Sequence, residues 1–527
     1  MLIGYVSDEH YLALEGVAVE LERDGTSIAA RSRATGAIHA DITAGVEYRV
    51  TLAKDGFGAK TVAVTFDPAE PYAFRLLSDC LLGYMWPKWA RAGESSEFRV
   101  HSPEAYKLEL FRYGWTKELV RTIGWYDEHG PRATVQITPD GDYAASGVEW
   151  NRHGYRLVHH PQHVVAPERS GLYYFHASTA CGRFFSFPWI VAPQKPTAKI
   201  AVLASNLTWN AYNNLGGRSN YILNDLLPRR PVVNARLDLE RYTNPNFGGW
   251  EAATYRPLSL DRPEPLNSVP QHEQPTDPIE GRLACAATPA EWRLLAWLER
   301  EGFAYDYYAE TQLHAGELPL DDYRVLVMSV HPEYWTRQMY ASVKDWVTRR
   351  GGKLVYLGGN GINCEVELLD DHRVVHHNGR AADVTAGKFE SRFHMRVESE
   401  ANLLGVVFTD TGIMSAAPYE AIEAGHWALA GTGLAPGDHF GLHSQHMRCP
   451  GGASGHEQDK VSPSSPKQVQ VLARGLNPND GGAHLAYYET DSGGAVFSAG
   501  SIIWPACLLV DHAVSKITAN VFARFTK

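Results

Sequence analysis

Two tyrosines stand nine positions apart in a stretch where a chain would ordinarily only turn. Ser205-Asn-Leu-Thr-Trp-Asn-Ala-Tyr212-Asn-Asn-Leu-Gly-Gly-Arg-Ser-Asn-Tyr221 follows the apolar run Lys199 to Ala204. A second apolar run, Tyr323 to Val330, opens into His331-Pro332-Glu333-Tyr334-Trp335. Two phenols and a carboxylate make an all-oxygen, anionic ligand set. A phenol with a pKa of about 10 ionises only for a strongly acidic cation, and hard oxygen donors favour Fe(III) over Zn(II) or Cu(I). Two phenolates and one carboxylate balance the charge of such an ion and leave positions open for water and substrate, where a metal can polarise a carbonyl. Against this stands a plainer reading, in which Tyr212 and Tyr221 are packed aromatics with satisfied hydroxyls and Glu333 has a structural partner.

Other engines are poorly supported. The turn where a nucleophile would sit after a third strand is Gly358-Gly359-Asn360-Gly361, and asparagine does not attack acyl groups. Cys364 lies four residues on, with no base paired to it by motif. Neither G-x-S-x-G nor a phosphate loop occurs. A zinc hydrolase built on His331 lacks the H-x-x-x-H or H-E-x-x-H spacing, and His372 and His376 fall on a Val-rich segment that does not read as helix. Gly216-Gly217 reads as a sharp turn beside the site, not as a phosphate cradle.

The elements that must position these residues fall into three blocks. Residues 1–77 alternate in short β runs, Gly16 to Leu21, Glu47 to Leu52 and Lys60 to Phe66, with turns at Asp24-Gly and Asp55-Gly, which predicts a small β-sandwich. Strand-like runs continue over 78–195 (Glu97 to Val100, Leu108 to Phe111, Gly171 to Phe175, Phe185 to Val191) and predict a second, Ig-like sandwich ending at a Pro-rich linker. From 196 to 527 the grammar changes. Ile200 to Ala204, Tyr323 to Val330 and Lys353 to Leu357 read as buried strands. A helix from Thr288 to about Gly302 is expected to start with Thr as cap, Pro in the first turn and Glu291 completing a capping box. A second helix runs from Tyr340 to Arg350, and His484 to Ser498 reads as a hairpin. Alternating strand and helix predicts a doubly wound α/β domain of the amidotransferase or flavodoxin type, whose ligand sites lie at the carboxyl ends of the strands.

The totals bound the rest. With 527 residues, 44% hydrophobic and 21% charged, the chain is expected to fold into several globular domains. A net charge of −11 without a basic run argues against nucleic acid. The start, Met1 to His10, lacks a secretory pattern, and no apolar stretch is long enough to span a bilayer, so a cytoplasmic protein without a membrane partner is expected. Six scattered cysteines predict reduced core residues, and most of the 23 histidines, His159-His160 and His376-His377 included, are expected to be structural.

Wording adds to this. "L-x-G-V-x-V-E-L" followed by "A-G-x-E-Y-R-V-T-L" in the first block resembles carboxypeptidase regulatory-like modules. In the third block, "T-W-N-A-Y-N-N-L-G-G-R-S-N-Y", "H-P-E-Y-W", "Y-L-G-G-N-G" and "G-G-A-V-F-S-A-G-S-I-x-W", in that order over 196–527, resemble the large subunit of bacterial N,N-dimethylformamidase. The resemblance implies a mononuclear iron amidohydrolase that cleaves a small amide to a carboxylic acid and an amine. Carried over by residue, it implies Tyr212, Tyr221 and Glu333 as ligands of Fe(III), and His331, Asn360 and Glu457 (in Gly455-His-Glu-Gln-Asp459) as catalytic groups. His331 or Glu457 would move protons, and Asn360 would donate to the oxyanion. His331 could instead only orient Glu333, and Glu457 could be a surface ion pair with Lys460. The Tyr221 match is looser, because a short loop and Ile222-Leu-Asn-Asp stand where the family has an insertion and a His-Ser-Asp stretch. Trp209, Trp335, Phe497 and Trp504 could line an apolar pocket. A small subunit of the formamidase type or a homo-oligomer is compatible with this reading. The competing function is a non-catalytic protein that binds a carbohydrate or other small molecule on a degenerate amidotransferase-like fold.

Overall fold

The computed structural model describes residues 1–126, 138–150, 162–223, 225–233, 256–279, 285–379, 383–384 and 386–527. His159 and His160 lie outside the described residues.

The first 77 residues form two small sheets. Leu2–Ser7 sits between Ala37–His39 and Tyr72–Arg75, and the other sheet runs in the order Thr26–Arg31, Ala18–Arg23, Glu47–Ala53, Lys60–Thr65. Strict alternation decides which face is inside: Tyr48, Val50 and Leu52 turn in and meet Val6, Ile38 and Phe74 in one core, while Glu47 and Arg49 face water. The next block repeats the device on a larger scale. A sheet of Leu82–Trp86, Ser95–His101 and His163–Val165 shares a core with five strands between Trp89 and Ala192, through Met85, Phe98, Leu108, Phe175 and Phe187.

After the linker a mixed sheet of nine strands holds the molecule together. Its strands are Ile200–Ala204 (β1), Tyr305–Ala309 (β2), Val325–Val330 (β3), Lys353–Gly358 (β4), Tyr419–Ala421 (β5), His439–Phe440 (β6), Gln470–Gly475 (β7), His484–Glu489 (β8) and Ala495–Ser498 (β9). They lie in the order β2-β1-β3-β4-β9-β8-β7-β5-β6. The first five of that order pair in parallel, and from β9 to β6 every pairing is antiparallel. Four helices matter here: Asn206–Tyr212 (α1), Thr288–Arg300 (α2), Arg337–Arg349 (α3) and His512–Phe525 (α4).

The expected doubly wound α/β domain is not what forms. Among the described residues only α2, α3 and α4 exceed ten residues, and the molecule is mostly β. The pattern of helix and strand over 288–358 is real, but it does not recur. Between Gly358 and Gln470 the described residues form two- to five-residue strands, loops and helical turns of three or four residues, and the sheet grows by antiparallel hairpins that need no crossover helix. The capping box at α2 is also absent. Ala287 occupies the cap position; the Thr288 hydroxyl and N–H both donate to Asn267 Oδ1, at 2.8 and 3.2 Å. Glu291 turns inward instead, accepting from Trp209 Nε1 at 2.9 Å and from the Tyr307 hydroxyl at 2.8 Å. At α3 a cap does form, with Thr336 Oγ1 accepting from the Met339 N–H.

The six cysteines are free thiols. Among the described residues no helix is long and apolar enough to cross a membrane.

Candidate metal centre

Three parallel strands deliver the site. β1 runs into α1, whose last residue is Tyr212. Gly216 and Gly217, at φ of +100° and +91°, then reverse the chain so that Tyr221 returns beside Tyr212, with ring centroids 4.3 Å apart. β3 ends on Val330 at φ +59°, a left-handed conformation that a β-branched residue adopts only under constraint. The kink delivers His331 and Glu333, and the Glu333 N–H is fixed by Thr208 Oγ1 of α1 at 3.1 Å. β4 ends at Gly358, and Asn360 follows at φ +54°. A fourth segment, Gly455 to Asp459, crosses this edge, and His456 in it is again left-handed at +63°. In an extended strand neighbours point to opposite faces; the break at His456 lets His456 and Glu457 line the same cavity.

The sequence-predicted residues converge. Glu333 is buried, and its Oε2 accepts from the Tyr221 hydroxyl at 2.8 Å and the Tyr212 hydroxyl at 3.2 Å. His331 Nε2 lies 3.2 Å from that same oxygen and 3.0 Å from Glu457 Oε2. Asn360 Nδ2 donates to Glu457 Oε2 at 2.7 Å. Glu457 is therefore not the surface partner of Lys460, which pairs with Asp480. Asn360 does not border the cavity; its amide orients Glu457, and its own turn is held by Asp459, which accepts from the Asn360 N–H at 2.8 Å.

Residues that motif reading passed over complete the shell. Arg392 Nη2 donates to Glu333 Oε1 at 2.6 Å, opposite the oxygen that takes the phenols. The Tyr334 hydroxyl lies 2.5 Å from that of Tyr221 and accepts from Asn220 Nδ2 at 2.8 Å. Since Tyr221 gives its proton to Glu333, the direction is fixed along the chain: Asn220 donates to Tyr334, Tyr334 to Tyr221, Tyr221 to Glu333. Tyr334 was in plain view inside H-P-E-Y-W; Arg392 had no signal in sequence.

Electrostatics follow from burial and these partners. Burial opposes the Glu333 charge, but His331, Arg392 and the Tyr221 hydroxyl outweigh it and hold the carboxyl down at about 2. Burial likewise opposes protonation of His331, yet Glu457 and Glu333 raise the imidazole to about 10. Burial, then the Glu333 charge, push the Tyr221 phenol well above its ordinary value. Such a phenol ligates only a cation acidic enough to displace its proton, so the donor set fits a hard, highly charged ion. The cluster of hydroxyls around one ionised oxygen is consistent with that fit.

A cavity of about 80 Å³ borders this cluster, lined by Trp209, Ile222, Leu266, Ala286 and Met414 on its apolar sides and by Tyr212, Tyr221, His331, Arg448, His456 and Glu457 on its polar ones. At roughly 10–15 Å³ per water, it holds a handful of waters or a small molecule. Of the four aromatics expected at a pocket, only Trp209 lines it; Trp335, Phe497 and Trp504 are core. Cys364 is buried, its thiol raised to about 12 by desolvation, and is no nucleophile.

A mostly-β fold with a carboxylate, two phenols and a histidine gathered at one sheet edge defines a protein with a buried, hard-donor site. The family can be stated: the chain belongs to the N,N-dimethylformamidase beta subunit-like, C-terminal family, whose model matches residues 107–516. Two curated relatives are the N,N-dimethylformamidase beta subunits of Paracoccus aminophilus, 28% identical over 399 residues, and of an Alcaligenes species, 27% identical over the same length. Each match covers 64% of this chain and 50% of the relative, so the chain spans about half the length of these proteins. Among solved structures, a putative carbohydrate binding protein from Bacteroides uniformis is 14% identical and covers 35% of this chain and 87% of its own, with a TM-score of 0.13.

Proposed function

We propose that this chain is an amidohydrolase that holds one iron ion, Fe(III), on Tyr212, Tyr221 and Glu333 and hydrolyses the C–N bond of a small amide. The observation that carries the reading is the crowding of both phenols and His331 onto one oxygen of a buried glutamate beside a small cavity, in a chain of the formamidase family. When bound, Fe(III) supplies a Lewis acid to the amide carbonyl and to water. Glu457 accepts the proton of the attacking water, and His331, 3.0 Å from Glu457, returns a proton to the leaving nitrogen. Water oxygen bonds to the acyl carbon, the C–N bond breaks with its electron pair staying on nitrogen, and a carboxylic acid and an amine depart. Asn360 keeps Glu457 aimed, and Tyr334, donating to Tyr221, eases its conversion to a phenolate. The relatives are named as beta subunits, which supports a partner subunit or a second copy here.

The visible spectrum of the purified protein, with metal content from the same sample, tests this. Tyrosinate on Fe(III) gives a broad charge-transfer colour, and the expectation is that colour with about one iron per chain, followed by release of amine from small amides. A protein that stays colourless after iron is supplied would reduce Tyr212 and Tyr221 to packing residues and leave a non-catalytic binding protein as the surviving function. Glu333→Ala should lose both iron and colour; iron retained at full occupancy would refute the ligand assignment.

A further inference from the structure

One buried carboxyl that takes no part in the proposed reaction joins the two segments that carry Tyr212 and Glu333. Glu310 opens a short helix, Glu310–His314, directly after β2, and is fully buried. Its N–H donates to Asn206 Oδ1 at 2.7 Å, which seats it against the first turn of α1. Its two oxygens are then divided between two parts of the chain. Oε2 accepts from the Leu207 N–H of α1 at 3.1 Å, and Oε1 accepts from Trp335 Nε1 at 2.8 Å. Leu207 stands five residues before Tyr212 and Trp335 two after Glu333, so one side chain spans both segments. Stability gives no reason for a carboxyl here. Taking one out of water is costly, and an apolar residue of similar size is often tolerated better at such a place. What the carboxyl provides is two acceptors at a fixed separation, whereas glutamine offers one, because its nitrogen only donates.

We propose that Glu310 is a positioning residue, a clamp that sets the separation of the Tyr212 hydroxyl from the Glu333 carboxylate, 3.2 Å here, and with it the geometry offered to the ion. This rests on the proposed ligand set for what the separation serves; the clamp itself stands on the hydrogen bonds of Glu310. The need for a firm hold is visible at Val330, whose left-handed backbone at φ +59° persists only where its surroundings over-determine it. Thr208 Oγ1 ties α1 to the Glu333 N–H at 3.1 Å. Glu310 adds a second tie two residues on, at Trp335, which fixes the direction of the segment as well as its position.

Glu310→Gln in the full chain tests this with and without iron. In a crystal structure of the metal-free variant the Tyr212 hydroxyl should stand about 0.5 Å or more further from Glu333 Oε2, a displacement large enough to spoil a site. In the iron-loaded variant the tyrosinate charge-transfer band should move and iron affinity should fall about ten-fold or more. An unchanged separation, or a band left in place, overturns the positioning role, whatever happens to stability. Trp335→Phe, which removes the indole donor and keeps a buried ring, is expected to act in the same direction and carries the test should Glu310→Gln not fold. Combined, the two changes should lower iron affinity no further than Glu310→Gln alone, because the amide oxygen is then free to serve Leu207. Losses that add would mark two unrelated defects and overturn the clamp. A colourless wild type would sink the metal reading, while the separation in the metal-free variant still decides the clamp; a coloured wild type whose band and separation survive Glu310→Gln would do the reverse.

Discussion

Every strong contact of Glu333 is made by a residue whose role can be measured separately. Tyr334→Phe removes one hydroxyl that points at the Tyr221 oxygen and leaves the ring in place. On the proposed ligand set, iron affinity should fall about ten-fold or more and the charge-transfer band should move, the effect of losing a partner that orients a ligand; an unmoved band would show that Tyr334 only packs. Asn360→Ala should lower turnover by about ten-fold or more with iron still bound, because it frees Glu457 without touching a ligand; an unchanged rate would remove it from the site. Arg392→Met strands the buried Glu333 Oε1, and stability should fall by about 3 kcal/mol in denaturant titration of the metal-free protein. The legible residues were those set in short contiguous motifs, His331 and Glu333 above all. Arg392 is invisible because its partner lies 59 positions away in sequence, and the hydrogen bond from Asn360 to Glu457 is not legible because a motif names a residue without saying where its amide points.

At the level of elements, β1, β3, β4 and α3 are readable to within a few residues, since the three strands are buried, mainly apolar runs and α3 carries its own cap and glycine stop, whereas α1, which ends on Tyr212, lies in a stretch that reads as a loop. What could not be read was how the sheet closes. A short apolar run says "buried strand" with no statement of its neighbour or direction, so of the antiparallel pairings only the hairpin of β8 and β9 is legible, and the places of β7, β5 and β6 beyond it are not. Of the left-handed residues, Asn360 and His456 are of types that enter this region more readily than most, whereas the β-branched Val330 gives no such sign; all three are held by the packing around them. One of those packings is backbone on backbone. A Cβ at Gly359 would stand 2.3 Å from the Glu457 carbonyl oxygen and 2.8 Å from the Ile502 nitrogen. Gly359→Ala should therefore prise the β4 turn off the Glu457 segment, costing roughly 1–3 kcal/mol of stability and, in the same variant, turnover. A fully stable variant would show that the turn has room to shift.

For the molecule as a whole, buried carboxyls away from the proposed ligands, Glu291 and Glu400 among them, shape how stability responds to pH. Burial raises Glu291 to about 7 and Glu400 to about 8, so the fold prefers both protonated. Their contribution is complete below the ordinary carboxyl range and is lost as pH rises through those values. The melting temperature should be higher at about pH 6 than at about pH 9, and Glu400→Gln should flatten that fall; a curve rising toward alkaline pH would contradict the assignment. The other molecular feature is the clasp between the first block and the site. The Glu9 carbonyl accepts from the Gly216 N–H at 2.7 Å, and the buried Arg75 binds the Gly216 carbonyl at 3.1 Å while stacking on Tyr143. A Cβ on Gly217 would strike that of Tyr11 at 2.3 Å. These contacts fix the loop that joins Tyr212 to Tyr221, although residues 8–11 and 75 lie outside the span that the family matches. On the proposed ligand set, the bite of the chelate is thus adjusted by a part of the chain that supplies no donor atom. Ionic radius becomes a property that a change at Arg75 can select, with every ligand left in place.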